Sequence, residues 1–333
     1  MRKGRKVIII ATSIVLFIGY LVLALIFDLP IFMNWRSYCS SPVWSQDGKG
    51  IFYIKDTVYW ELTPGSMFTI AMGGSGRTAK EVCCIISTNQ YGWDKKIIVK
   101  FITKPGGWEK PAQVLALGAI PNRNEIAFFV RAGEGDETWI YKVNANGANL
   151  IKLIGLGKTA NIPELFVSSD GAKIAYIKER YSNGVDENLD ISGSVFSSWL
   201  MDSNGENSHM ICDEDSGVVG WTANGKLVIS AYADSEGKAR IEYGRHGNNI
   251  KYPDDVKNRI LVYDQTLNKF IENIPTYLNR RMRMEEGLKS LGITICDTSI
   301  SPDRKKQIFY DDLNRRIIVK DLVDKSETIL LRW

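Results

Sequence analysis

The chain has 333 residues, of which 44% are hydrophobic, and this is enough for one large domain or two ordinary ones with a well-buried core. Its formal net charge is +4, and four of the 42 basic residues lie in the first six positions, which leaves 38 basic and 38 acidic residues in the rest. This balance argues against the basic surface that a nucleic-acid-binding protein requires.

The first predicted element is a membrane anchor over residues 7–27. This run of 21 residues carries no charge, and about 20 helical residues cross the hydrocarbon layer of a bilayer. The basic tail (residues 1–6) precedes the run and Asp28 follows it, so the N-terminus is expected in the cytoplasm and the remainder outside it. A cleaved signal peptide is the alternative, but no small-residue cleavage site ends the run. Residues 28–38 are interpreted as a juxtamembrane linker.

A short pattern, a polar turn followed by a strand of alternating apolar residues, recurs five times after the linker. The copies cover residues 44–54, 120–130, 167–177, 221–231 and 300–310. Every copy has Asp or Asn at the same turn position, namely Asp47, Asn122, Asp170, Asn224 and Asp303. An Asx side chain accepts backbone N–H bonds, and the Gly that follows it in three copies tolerates positive φ, so these residues predict structural turns.

A second pattern, a strand, a polar turn and another strand, follows most copies. It covers residues 139–154, 198–213, 259–274 and 316–331, with a weaker instance at 67–85. A polar pair such as Asn-Gly between alternating strands indicates a β-hairpin. Each unit therefore predicts four antiparallel strands, and such sheets repeated along a chain form the blades of a β-propeller.

The spacing of the copies bears on the number of blades. Asp47 and Asn122 are far enough apart to hide a degenerate blade, whose clearest strand would cover residues 96–102. The stretch before Asp303 predicts an insertion around residues 242–257 and a short helix at 278–291. Five blades are readable, and we expect six, in an all-β propeller of four-stranded antiparallel blades preceded by one transmembrane helix.

The repeat resembles that of the TolB-type β-propellers, whose pattern runs roughly P-x-W-S-P-D-G-K and then I-Y-x-x-D-x-x-G. The nearest match is residues 41–49 (SPVWSQDGK), followed by residues 301–303 (SPD) and 168–171 (SSDG). The resemblance covers residues 39–333. It implies a propeller fold and a scaffold role in the bacterial cell envelope, although the retained anchor departs from the soluble periplasmic TolB.

The sequence contains only weak signals for catalysis or metal binding. No G-x-S-x-G nucleophile elbow is present, which argues against Ser-His-Asp catalysis. The two histidines and five cysteines do not match a metal-ligand spacing. The cysteines are interpreted as small apolar strand residues, with one or two disulfides as the alternative; they are Cys39, Cys83, Cys84, Cys212 and Cys296. An acidic loop offers weak calcium candidates that we interpret as solvated, namely Asp186, Asn188 and Asp190.

Aromatic residues recur near the predicted strand ends. Trp44 and Trp221 occupy the same repeat position, which favours packing between blades over ligand binding. We therefore expect a non-enzymatic protein, anchored through residues 7–27, whose periplasmic or extracellular propeller binds an unknown envelope protein or peptide without a cofactor. The alternative is a receptor or enzyme for a small ligand or glycan that uses the central channel, with or without a metal.

Overall fold

A computed structural model describes most of the chain outside its longest connections. The described residues are 12–23, 32–62, 77–103, 112–132, 137–158, 164–181, 194–212, 216–233, 242–243, 250–251, 257–275, 288, 292–293, 295, 299–311 and 313–332. Residues 12–23, within the predicted anchor, are helical. Among the described residues, no helix combines the length and the apolar character that crossing a membrane requires.

The rest of the described chain is built from β-strands, as predicted. The strands are β1 (Phe32–Trp44), β2 (Gly50–Leu62), β3 (Arg77–Asn89), β4 (Lys96–Thr103), β5 (Gln113–Ile120), β6 (Glu125–Ala132), β7 (Glu137–Asn144), β8 (Ile151–Lys158), β9 (Leu165–Val167), β10 (Lys173–Tyr181), β11 (Ser194–Asp202), β12 (His209–Cys212), β13 (Ser216–Trp221), β14 (Leu227–Ala233), β15 (Glu242–Tyr243), β16 (Ile250–Lys251), β17 (Lys257–Asp264), β18 (Lys269–Pro275), β19 (Lys306–Asp311), β20 (Arg316–Asp321) and β21 (Glu327–Arg332).

The strands form successive antiparallel sheets, which is the arrangement of propeller blades. Sheet 1 contains β1–β4, sheet 2 contains β5–β8, sheet 3 contains β9–β12, and sheet 4 contains β13, β14, β17 and β18. Sheet 5 contains β19–β21, and an isolated bridge between Ile300 and Gln307 stands where its first strand would pair. The ribbon of β15 and β16 lies in the predicted insertion between β14 and β17.

One expectation from the sequence needs correction. Residues 96–102 do not belong to an extra blade, because they lie in β4, the outer strand of sheet 1. The long interval between Asp47 and Asn122 arises instead from strands of 13 residues and the connection between β2 and β3. The described residues form five blade sheets, so the expected sixth is not among them. The first strand starts at Phe32, inside the predicted linker, because residues 32–38 pair with the end of β2.

Two predicted elements lie largely outside the described residues. The weak hairpin at 67–85 is described only from Arg77 onward, in β3, which pairs with β2 and β4. Of the predicted helix at 278–291, the structure describes Leu288 alone, and its backbone is helical.

The inner strands of each sheet are apolar on both faces because both faces pack against neighbouring sheets. In β6, the five residues from Ile126 to Val130 are at most 2% exposed. Ile126, Phe128 and Val130 join the core shared with sheet 1, whereas Ala127 and Phe129 join the core shared with sheet 3. Each fully buried aliphatic side chain of this kind contributes about 1.5–3 kcal/mol. The alternation of the strand thus divides one sheet between two cores.

Similar cores join the other sheets. One cluster combines Tyr53 of sheet 1 with Ile308 and Val319 of sheet 5, so the last sheet packs on the first. Another joins sheets 3 and 4. A smaller cluster places Leu288 against Val228 and Ile260 of sheet 4.

Candidate functional site

The predicted Asp turn residues accept hydrogen bonds within their own turns. In sheet 1, the Asp47 carboxylate accepts hydrogen bonds from the Ser45 hydroxyl (2.6 Å) and the Lys49 amide (3.0 Å). Asp170 and Asp303 form the same pair of bonds in sheets 3 and 5. In four of the five copies, a serine or threonine two residues before the Asx is thus part of the motif, whereas Ile120 takes this position before Asn122.

These turns lie side by side at one end of the sheets, which we name the turn face. The Gln46 amide donates to the Asn122 side chain at 2.8 Å, which joins the turns of sheets 1 and 2. Gly48 lies against Pro302, and Gly171 lies against the carbonyl of Pro121. The turns of sheets 5, 1, 2 and 3 therefore form a continuous rim. Because the strands alternate in direction, the turn between the third and fourth strands of each sheet lies on the same face.

The two tryptophans at the shared repeat position pack between sheets, as predicted. The Trp44 indole of sheet 1 donates to the carbonyl of Ser299 at 2.8 Å. Trp221 of sheet 4 donates in the same way to Phe166 of sheet 3 at 3.2 Å. Both side chains are at most 4% exposed.

The metal-binding prediction has no structural test. Asp186, Asn188 and Asp190 lie outside the described residues. Within the described ranges, no group of three or more His, Cys, Asp or Glu side chains is arranged to hold a metal ion. Cys39, Cys83 and Cys84 are buried free thiols, and Cys296 lies outside the described residues.

The most exposed aromatic pair of the turn face lies between β3 and β4. Tyr91 is 62% exposed and Trp93 is 71% exposed. Residues 89–94, which we name the aromatic turn, are nevertheless held firmly. The Asn89 side chain accepts hydrogen bonds from the backbone amides of Tyr91 and Trp93, both at 3.0 Å, and the Thr88 hydroxyl donates to the Trp93 carbonyl at 2.6 Å. Two large apolar side chains thus point into solvent from a rigid support.

The aromatic turn is also fixed to the neighbouring sheet. Gly92 has a φ of +81°, and a Cβ at this position would lie 2.8 Å from the carbonyl oxygen of Leu330 in β21. The Gln90 amide donates to the Lys49 carbonyl at 3.1 Å, and the Lys306 ammonium donates to the Gln90 side chain. The turn therefore spans the junction of sheets 5 and 1.

A separate cavity of about 250 Å³ lies where sheet 1 meets the start of β5. Its lining residues are Tyr38, Asp56, Thr57, Val58, Glu81, Val82, Cys83, Ala112 and Gln113. Asp56 lies between Tyr38 and Cys83 on the adjacent strands, and the Val114 amide donates to the Cys83 sulfur at 3.2 Å. The cavity lies beside the middle of β1, β2 and β3, since Tyr38, Asp56 and Cys83 are each the seventh of the 13 residues of their strand.

Burial controls the ionisation of the acidic and thiol side chains that line the cavity. Burial raises the pKa of the Asp56 carboxyl, and its hydrogen bond with Cys83 partly offsets this rise. Burial and, after it, the charge of Asp56 raise the pKa of Glu81. Burial is also the main reason why the pKa of the Cys83 thiol rises far above its ordinary range. The thiol is therefore protonated at neutral pH, and a protonated thiol is a poor nucleophile.

Sequence reasoning found some of these residues and missed others. The sequence places Trp93 near a predicted strand end, but its exposure depends on the turn and is not encoded in spacing. Tyr91 and the cavity residues were missed. A signal for Asp56 was present, because an acidic residue interrupts the apolar run of β2 between Ile54 and Val58.

Comparison with known proteins does not assign the chain to a family. No family model matches the chain, and no curated protein matches it. Among solved structures, it is similar to an oligogalacturonate lyase in complex with manganese (11% identity, TM-score 0.35, covering 89% of this chain and 64% of the lyase). It is also similar to an acylaminoacyl peptidase from Pyrococcus horikoshii (12%, TM-score 0.38, covering 86% and 35%).

A third similar structure is the β-propeller domain of the Trilobed protease from Pyrococcus furiosus, at 11% identity and a TM-score of 0.39, covering 90% of this chain and 71% of that domain. The chain spans less than two thirds of the length of the lyase and of the peptidase. Similarities at these levels say nothing about activity. The fold rests on the topology of the described sheets.

Proposed function

We propose that the chain is a membrane-anchored, extracytoplasmic propeller of the TolB-like kind, which acts as a non-enzymatic scaffold for a protein or peptide of the cell envelope. The observation that carries the proposal is the aromatic turn, with Tyr91 and Trp93 exposed on a rigid support. Exposed tryptophan and tyrosine side chains that are already fixed in place are typical of binding hot spots, because little conformational entropy is lost on association.

The direction of the chain supports this choice of surface. β1 runs from Phe32 towards the turn at Ser45, so the chain enters sheet 1 from the end opposite the turn face. With residues 7–27 as the anchor, the turn face then points away from the membrane. In this orientation the aromatic turn is accessible to another envelope protein.

The test is capture of partners by the full-length chain from its own membranes, quantified by mass spectrometry. Trp93→Ala should reduce the captured partner by about tenfold or more, because truncating a hot-spot residue costs at least about 2 kcal/mol. Trp35→Ala is the matched control, since Trp35 is 63% exposed but lies near the opposite end of sheet 1. Equal capture by the two variants would refute the proposed surface. A turnover activity abolished by one point mutation would refute the non-enzymatic role.

The cavity favours a second candidate, a receptor for a small cationic ligand. Asp56 and Glu81 share a cavity with Tyr38, whose ring already lies 5.8 Å from the Arg315 guanidinium. Carboxylates and an aromatic face are the groups that bind ammonium ions. With putrescine as the probe, this candidate predicts a rise in the melting temperature of the wild type and none in Asp56→Asn. No rise in either protein at millimolar putrescine would exclude it.

A further inference from the structure

The aromatic turn lies in a local concentration of positive charge, although the chain beyond its basic tail is neutral. Three turns meet at the junction of sheets 5 and 1, formed by residues 45–49, 89–96 and 301–306. They contain six basic and three acidic residues. The basic residues, which we name the basic patch, are Lys49, Lys95, Lys96, Arg304, Lys305 and Lys306. All except Lys306 are exposed.

The positive charge is confined to this junction. With the same bounds, the turns of sheets 2, 3 and 4 (residues 120–125, 144–151, 168–173, 202–209, 222–227 and 264–269) together contain four basic and five acidic residues. The basic residues are Arg123, Lys173, Lys226 and Lys269, and the acidic residues are Glu125, Asp170, Asp202, Glu206 and Asp264. Within the patch, Asp47 and Asp303 accept hydrogen bonds from their own turns, and Asp94 lies 3.3 Å from the Asn89 amide. The Lys306 ammonium lies 5.8 Å from the centre of the Tyr91 ring, and Lys95 and Lys96 follow Trp93 by two and three residues in the chain. Positive charge therefore adjoins both aromatic side chains.

An apolar surface continues from the aromatic turn. Ile97, at the start of β4, is 58% exposed. An aliphatic side chain offers no hydrogen bond to a sugar or a phosphate, but it packs well against an apolar side chain. The combination of lysines, Trp93 and Ile97 thus suits a polypeptide that has both acidic and apolar residues, more than it suits an anionic glycan.

We propose that the basic patch and the aromatic turn bind an acidic, extended segment of a protein partner, with an apolar side chain of that segment packed on Trp93 and Ile97. This inference rests on the proposed scaffold function and adds the chemical class of the partner. The lysines attract the segment and the aromatic turn anchors it. Salt should therefore weaken the interaction, because exposed charges are screened within about 10 Å at 0.1 M ionic strength.

The test is a fluorescence anisotropy titration of the full-length chain in non-ionic detergent. The probe is a labelled glutamate-rich peptide that contains one leucine. Two control peptides replace either the glutamates by lysines or the leucine by glycine. The acidic probe should bind at least about tenfold more tightly than its lysine counterpart. In Trp93→Ala, the leucine and glycine peptides should bind equally weakly.

Charge reversal gives the matched comparison. Lys95→Glu should weaken binding of the acidic probe by about fivefold or more, whereas Lys269→Glu, an exposed lysine on the turn face of sheet 4, should change it by less than about twofold. Equal effects of the two reversals, or equal binding of acidic and basic probes, would overturn the proposal. So would tighter binding of a sulfated glycan or of anionic lipid vesicles through Trp93.

This experiment separates the inference from the scaffold function. If partner capture depends on Trp93 but the acidic probe does not respond to Lys95→Glu, the scaffold stands and the acidic partner is wrong. If capture does not depend on Trp93, the proposed surface itself fails.

Discussion

Sheets 5, 1, 2 and 3 meet through contacts that repeat at each junction, whereas sheet 4 is followed by a segment that has no counterpart among the described residues of the other sheets. In the first group, the glycine of each outer turn lies on the outer strand of the preceding sheet: Gly92 on Leu330, Gly147 on Ile98 and Gly205 on Leu153. After sheet 4, Leu288 packs on Val228 and Ile260, and Ile295 pairs with Thr222.

The difference shows what the repeat encodes. A turn glycine serves not only the hairpin but also the close approach of one sheet to the next, since a Cβ at Gly147 would lie 2.8 Å from a backbone oxygen. The outer turns of sheets 4 and 5, residues 265–268 and 322–326, contain no glycine. The segment that follows sheet 4 packs on that sheet itself, through Leu288 and Ile295.

The largest expected effect is at a repeated contact. In Gly171→Ala, the new Cβ would lie 2.2 Å from the Pro121 carbonyl oxygen at a φ of +71°. Since backbone must shift, we expect a loss of about 3 kcal/mol or more in the free energy of unfolding. Gly157→Ala has a similar φ of +78° with open space around it, and should cost only about 1 kcal/mol. Urea unfolding measures both, and equal losses would contradict the account.

The next effect tests the inserted segment. Leu288 is 3% exposed, so Leu288→Ala leaves a cavity against sheet 4 and should cost about 2–4 kcal/mol. Leu313→Ala, at a position that is 97% exposed, should cost almost nothing. If Leu288→Ala also proves neutral in urea unfolding, the segment does not support the sheets.

A smaller effect concerns the tryptophans between sheets. Trp44→Phe keeps an aromatic ring but removes the indole donor to Ser299, and we expect a loss of about 1–2 kcal/mol. Trp93→Phe changes an exposed ring and should leave the free energy of unfolding unchanged. A neutral Trp44→Phe variant would show that packing alone, without the hydrogen bond, holds sheets 5 and 1 together.

The smallest expected effect is a difference in pH dependence between the turns that contain Asp and the turns that contain Asn. The Ser45 hydroxyl, which donates to Asp47, is the main cause of the lowered pKa of that carboxyl. Burial opposes the shift at Asp170, but hydrogen bonds from Ser168 and Ala172 still hold its pKa below the ordinary value. A lowered folded-state pKa stabilises above the unfolded value of about 3.9, and this stability is lost as the pH falls through the folded value.

Acid should therefore loosen the turns of sheets 1 and 3 before that of sheet 4, where Asn224 does not titrate. Hydrogen exchange of the turn amides below about pH 4 checks this, with Asp170→Asn as the control that removes the pH dependence. The same acid response at the turn of sheet 4 would contradict the hydrogen-bond explanation.

Much of the repeat could be predicted from local sequence. The Asx turns at Asp47, Asp170 and Asp303 and the hairpin at 139–154 have chemistry that a few adjacent residues fix, and the structure confirms them. The role of Trp44 followed from its repeat position. Such features depend on contacts between residues that are adjacent in the chain, or on residues that occupy the same position in successive repeats.

The features that sequence reasoning missed depend on distant residues. The extra length of β1, β2 and β3 is stabilised by pairing among these strands, which is why the interval could be interpreted as hiding a blade with its clearest strand at residues 96–102. The cavity requires β5 to meet Cys83, and the exposure of Trp93 requires Gly92 to sit on Leu330. No local sequence pattern encodes these long-range contacts.

Photo-crosslinking in intact cells tests the central claim most directly. A photoreactive residue would replace Trp93 in one full-length protein and Trp35 in another, and the crosslinked products would be compared. The account predicts a discrete protein adduct from position 93 that Lys95→Glu weakens, and no such adduct from position 35. Adducts from position 35 alone, or identical products from both positions, would contradict a binding surface on the turn face.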